Sequence, residues 1–198
     1  AIDAGYAAVH IDGSSLSLKE NIKLTKQAIK ICRKKGIFVE GEVGFIEGAS
    51  RILKKAPEIT EADLTLPDDA LKFVRETGVD SLAVNIGTFH GIDASGQNPH
   101  INLLRLKEIQ EKLGDKVFLV LHGGSGTPEE DVVRAIKLGI VKININTELR
   151  LAYKNALKRA FGERPEETTP YEYMPEAIIA VQKVVEEKIK LFTQAKRS

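Results

Sequence analysis

Only one cysteine, Cys32, and one methionine, Met174, occur in 198 residues. A single thiol excludes a disulfide framework and fits a reducing compartment, so a cytoplasmic protein is expected. An excess of one charge sign is also missing. Lys and Arg total 29 against 28 for Asp and Glu, a net charge of +1. No bulk field therefore draws in nucleic acid or a membrane surface. No apolar run approaches the roughly 18 residues that span a bilayer, and nothing reads as a signal peptide. The opening residues Ala1-Ile2-Asp3-Ala4-Gly5 read as the tail of a helix, with no initiator Met. The expectation is a chain whose front portion lies outside this sequence.

The chain is 42% hydrophobic and 29% charged, enough to bury a sizeable core. Its organisation is a repeat of strand, polar loop, capped helix and glycine. Apolar runs at Ala7 to Ile11, Ile37 to Val43, Asp80 to Ile86, Val117 to Leu121 and Ile140 to Ile145 predict five strands. Ser17-Leu18-Lys19-Glu20 is a capping box, and Ile22, Thr25, Ile29 and Cys32 follow at helical spacing up to Gly36. Thr65 with Pro67, Asn102, and Thr127 with Pro128 are expected to cap three more helices. Gly44 to Leu64 reads as a long loop. Gly162 to Thr169 is turn-rich, and a last helix is expected from about Pro175 to Ala195, with Ile178, Val181, Val185, Ile189 and Phe192 as a packing or dimer-contact stripe.

This rhythm is that of a parallel α/β sheet, and each polar motif lies at the C-terminal end of a strand. A closed (β/α)8 barrel needs eight strands. The five are read as strands 4 to 8 of an incomplete TIM barrel, followed by C-terminal helices. The domain expectation is one partial barrel over residues 1–198, with βα units to residue 161 and a C-terminal extension over 162–198.

Chemistry concentrates at four strand ends. Leu119-Val-Leu-His-Gly-Gly-Ser-Gly126 delivers an imidazole and bare backbone N–H groups toward a helix start, a place suited to a metal and a phosphate together. His90 and His122 each end a strand and precede glycine. If their strands are close, the two imidazoles converge on one metal. Glu40 and Glu42 share one strand face by their period of two, and with Asp12 they can hold a second cation, orient ligands or balance lysines. Gly123, Gly124, Ser125, Asn144, Asn146 and Thr147 offer amides and hydroxyls without fixed positive charge, sufficient for a phosphate at a helix N-terminus. His10 lies inside a strand and is given a structural role. His100 reads as a loop or capping residue.

Val9-His-Ile-Asp-Gly-Ser14, Val39-Glu-Gly-Glu-Val-Gly44, Gly87-Thr-Phe-His-Gly91, the Leu119–Gly126 stretch and Lys142-Ile-Asn-Ile-Asn-Thr-Glu148 occur in the order found in class II, metal-dependent fructose-bisphosphate aldolases. The chain resembles that family over essentially its whole length, and its tagatose-bisphosphate relatives are similar too. The resemblance implies a lyase of carbohydrate metabolism that splits a ketose 1,6-bisphosphate into dihydroxyacetone phosphate and glyceraldehyde 3-phosphate. Zn2+ would polarise the ketone and stabilise an enediolate without a lysine Schiff base. Carried over by position, His90 and His122 bind the catalytic zinc, and Asp12 and Glu42 match an alternate metal site. Gly91, Gly123, Gly124, Ser125, Asn144, Ile145, Asn146 and Thr147 cradle dihydroxyacetone phosphate. A monovalent cation, Na+ or K+, accompanies the phosphate, and a homodimer or homotetramer is expected.

The chain also departs from the family pattern. The family's strand bearing an Asp-His pair, a proton-transfer Asp and the third zinc ligand, is absent, so the chain alone is expected to be inactive. Glu47 is the nearest candidate for the mobile-loop acid. Ile92-Asp93-Ala94-Ser95 stands where relatives carry a lysine, and Tyr171 where they carry an arginine. A non-catalytic phosphosugar-binding subunit is the alternative reading.

Overall fold

A computed structural model describes residues 1–96 and 98–197. Five strands, β1 (Ala8–Ile11), β2 (Phe38–Val43), β4 (Ser81–Val84), β6 (Phe118–Leu121) and β7 (Ile140–Ile143), form one parallel sheet in the order β1-β2-β4-β6-β7. Between them come two further strands, β3 (Gly48–Leu53) and β5 (His90–Asp93), which pair with each other in parallel. The main sheet keeps chain order throughout. It is wound in one direction, as a barrel wall is, without the reversal of a doubly wound sheet. The result is an α/β fold with a five-stranded parallel sheet and a separate two-stranded one.

Helices α1 (Leu18–Cys32), α2 (Pro67–Thr77), α3 (Leu103–Leu113) and α4 (Glu129–Lys137) follow successive sheet strands. Their apolar faces pack with Val39, Leu82, Val84, Leu119, Leu121 and Ile140 in one core. Phe73, Leu106, Ile109 and Leu113 are fully buried there. Gly41 makes this packing possible, because a Cβ at that position would stand 2.6 Å from the Phe73 ring. Helices α5 (Thr147–Glu163) and α6 (Pro170–Arg197) pack together, and α6 also packs against α4. Among the described residues no helix is long and apolar enough to cross a membrane.

The Ser17 capping box forms as expected, with Glu20 closing it, and Asn102 accepts from the Arg105 amide. Other local readings give way to tertiary partners. Thr65 is not a helix cap; its hydroxyl donates to the Val43 carbonyl and accepts from the Asn85 amide. α4 begins after Pro128, with no side-chain cap from Thr127. The expected loop from Gly44 to Leu64 contains β3, and His90, expected at the end of a strand, is instead the first residue of β5, six residues past the end of β4 at Val84. The last helix starts at Pro170, so Pro175 lies inside it. Of its expected packing stripe, Ile178, Val185 and Ile189 face solvent, while Ala177 on the adjoining face is buried.

Candidate metal centre and phosphate loops

The sheet has two unlike faces. Val9, Ile11, Val39, Val43, Leu119 and Leu121 point to the helices. By strand alternation the intervening residues, His10, Glu40, Glu42 and Ser81, occupy the opposite face, with register placing His10 beside Glu40 and Glu40 beside Ser81. His122 enters this face from the end of β6. It is buried, as are Glu40 and Glu42.

His122 is held at both ring nitrogens. Its Nε2 lies 3.0 Å from Glu40 Oε1 and its Nδ1 2.8 Å from Glu42 Oε2. Lys142 Nζ donates to both oxygens of Glu40 at 2.9 Å, and the Ser81 hydroxyl adds a bond of 3.2 Å. Burial pushes the imidazole down, but the hydrogen bonds and charges of the two carboxylates outweigh it and hold His122 up at about 9. Burial pushes Glu40 up, and the bonds from His122 and Lys142 overcome that to leave it at about 2. Glu42 is likewise raised by burial and drawn down to about 2 by His10 and His122. The buried cluster is thus charged, with a protonated imidazole between two carboxylates.

His10 Nε2 lies 3.3 Å from Glu42 Oε2. The ligand atoms of His10, Glu42 and His122 all fall within 4.8 Å of one another. Two imidazoles and a carboxylate on a polar, partly open face fit a zinc-type ion. His10 is the residue that sequence reasoning missed. Its alternation with Val9 and Ile11 marked it as facing away from the helices, but nothing local showed Glu42 across the ladder.

His90 stands nearby, its ring centre 6.5 Å from that of His122, outside the converging set. Asp12, also outside it, accepts from the Ser14 amide and hydroxyl in a local turn. Glu47 is exposed, and its carbonyl accepts from the His90 amide at 2.7 Å. His100 bonds Asp131 at 2.9 Å and, with Glu130, forms a second converging group elsewhere.

The loops after β6 and β7 come together. Gly124 N–H donates to the Asn144 carbonyl at 3.1 Å, and the Asn146 amide donates to Ser125 Oγ at 3.1 Å. Ile145 packs toward Gly124, and Thr147 is buried as the first residue of α5. Gly123 has φ +65, and a Cβ there would run into the Phe89 carbonyl, so this turn requires glycine. Gly91 joins the same cluster through Asn98, whose amide donates to the carbonyls of Gly91 (3.1 Å) and Ser125 (2.9 Å). Asn98 was not singled out from sequence; a buried Asn in a loop carries no local signal of its partners. The Thr88 hydroxyl, two residues before His90, is buried and finds no partner among the described residues.

The family model for class-II fructose-bisphosphate aldolase matches residues 1–197. Among solved structures, the chain is similar to the YdjI aldolase from Escherichia coli K12, with 36% identity and a TM-score of 0.74 over 96% of this chain and 61% of that one. A Coccidioides immitis protein assigned as a fructose-1,6-bisphosphate aldolase shares 27% identity at a TM-score of 0.75, over 96% of this chain and 65% of that one. A fructose-bisphosphate aldolase from Campylobacter jejuni, at 20% identity and a TM-score of 0.74, shares the fold over 94% of this chain and 59% of its own. The chain therefore spans about 59 to 65% of the length of these solved relatives.

Proposed function

The chain belongs to the class-II fructose-bisphosphate aldolase family, and on that premise we propose that it carries the metal and phosphate machinery of a ketose 1,6-bisphosphate lyase. In this reading its five sheet strands are strands 4 to 8 of a (β/α)8 barrel, built from βα units up to residue 161 and an extension beyond. Fructose 1,6-bisphosphate is the substrate, with tagatose bisphosphate the alternative. The observation that carries the reading is the position of His122. A buried imidazole gripped by Glu40 and Glu42 ends the same strand whose next three residues, Gly123 to Ser125, pack against the loop beginning at Asn144.

A bound Zn2+ supplies Lewis-acid polarisation of a substrate carbonyl. His122 and Glu42 would hold it, while the resemblance puts His90 with His122 on the catalytic ion and Asp12 with Glu42 at an alternate metal site. Glu40 fixes the His122 ring through Nε2, while Lys142 balances the charge of Glu40. The Gly123–Ser125 and Asn144–Thr147 segments, with Gly91, orient the substrate phosphate at the N-terminus of α5. No lysine or arginine belongs to that cradle, so backbone dipoles carry the anion, with a monovalent cation alongside. Glu47 is the proton-transfer candidate contributed by this chain. The Asp-His pair that the resemblance implies is not assigned to any of these residues. A homodimer or homotetramer accords with the exposed Ile178, Val185 and Ile189 on α6, and a cytoplasmic location with the single cysteine.

The test is cleavage of fructose 1,6-bisphosphate by the chain with the upstream strands supplied. Activity that EDTA abolishes and zinc restores supports the proposal. Activity retained under EDTA, or a borohydride-trapped lysine adduct, overturns it.

A further inference from the structure

We propose that His10 is a direct metal ligand, forming with Glu42 and His122 a three-residue seat contained within this chain. The proposal rests on the metal-binding reading above and adds a residue that the family resemblance did not assign.

The placement of His10 follows from strand geometry. β1 and β2 are parallel, with His10 opposite Glu40 and its neighbours Val9 and Ile11 packed toward the helices. The side chain at 10 must then project to the face that carries Glu40 and Glu42. There its Nε2 reaches 3.3 Å from Glu42 Oε2. Zinc ligands at roughly 2.0–2.2 Å in tetrahedral array stand roughly 3.3–3.5 Å apart, so this separation already suits a shared ion. The Glu42–His122 hydrogen bond, at 2.8 Å, would open slightly to admit it.

The ring positions discriminate between the two histidines near His122. Two imidazoles on one tetrahedral zinc have centroids about 5 Å apart. His10 and His122 stand 5.0 Å apart with rings at 86°, whereas His90 and His122 stand 6.5 Å apart. His10 is also 36% exposed at its side chain. The competing role for His10 is an ordinary ion pair with Glu42.

The experiment uses the 198-residue chain with 15N-labelled histidine, stripped with chelator and titrated with Zn2+ against a competing indicator. The expected result is one tight zinc, with His10 Nε2 and His122 Nδ1 taking metal-bound nitrogen shifts. His10→Ala should weaken zinc beyond the about 10- to 100-fold typical of losing an outer partner. His10→Gln keeps a hydrogen bond to Glu42 but offers no imidazole, and it should lose zinc equally. Zinc bound with the His10 nitrogens unmoved and with His10→Gln at wild-type affinity overturns this assignment and leaves the metal reading standing. No zinc bound by the unaltered chain removes the metal reading and this assignment together. The partly exposed position of His10 makes both variants compatible with the fold, checked by the unchanged shift of His100.

Discussion

Glu42 Oε2 lies 2.8 Å from His122 Nδ1, both side chains buried on the polar sheet face that also carries His10, Glu40 and Ser81. A buried charged pair of this kind is weak evidence for stability, because desolvation offsets much of its Coulombic gain. On the proposed function it is a place that a metal ion would share, with the proton on His122 supplying the positive charge in the metal-free protein.

The charged cluster sets a pH window for the metal-free protein. His122 is raised from 6.5 to about 9, so its contribution to stability is complete below about 6.5 and is lost as pH rises through 9. Glu40 and Glu42 are lowered from 4.5 to about 2. Their contribution is complete above about 4.5 and is lost as pH falls toward 2. Thermal melts of the chelated protein should therefore plateau between about 4.5 and 6.5. His122→Gln should flatten the alkaline limb and leave the midpoint nearly constant from pH 7 to 9.

Metal must displace the Nδ1 proton of His122. Zinc binding is expected to release a proton and to tighten as pH rises from about 6.5 toward 9. Calorimetry in two buffers of different ionisation enthalpy reads this directly. Equal apparent enthalpies at pH 7 would contradict it.

Glu40 acts through His122. Its Oε1 takes Nε2 and leaves Nδ1 for the metal, while Lys142 holds both of its oxygens. Glu40→Gln should cost about 10- to 100-fold in zinc affinity with the fold intact. A competition titration with circular dichroism as control checks both halves of the statement.

Asn98 ties three segments together, donating to Gly91 and Ser125 carbonyls and accepting from the Asp93 amide at 2.9 Å. Asn98→Ala strands those buried groups and should cost about 1–3 kcal/mol in urea denaturation. If the proposed phosphate cradle is right, it should also weaken dihydroxyacetone phosphate binding, because Gly91 and Ser125 would no longer be held in register.

Much of this was legible along the chain. The Ser17 box and the Asn102 cap are local, and each closes within three residues. Glu40 and Glu42 needed only the period of two to be placed on one face. His122 with its glycines declared itself through the apolar run before it. What local reasoning could not supply was pairing across the sequence. β3 and β5 stabilise each other at a separation of some forty residues, and Gly48-Ala-Ser-Arg-Ile-Leu53 lacks the alternation of an independent strand. Thr65 has the chemistry of a cap, yet the Val43 and Asn85 backbone claimed its hydroxyl. His10 needed the β1–β2 register before its neighbour Glu42 could be known.

The most direct measurement is the anomalous difference map of a zinc-soaked crystal. A metal held by His122 and Glu42 gives one strong peak at about 2.0–2.2 Å from His122 Nδ1 and Glu42 Oε2. A peak at the His100, Glu130 and Asp131 group instead, with none at His122, would contradict it.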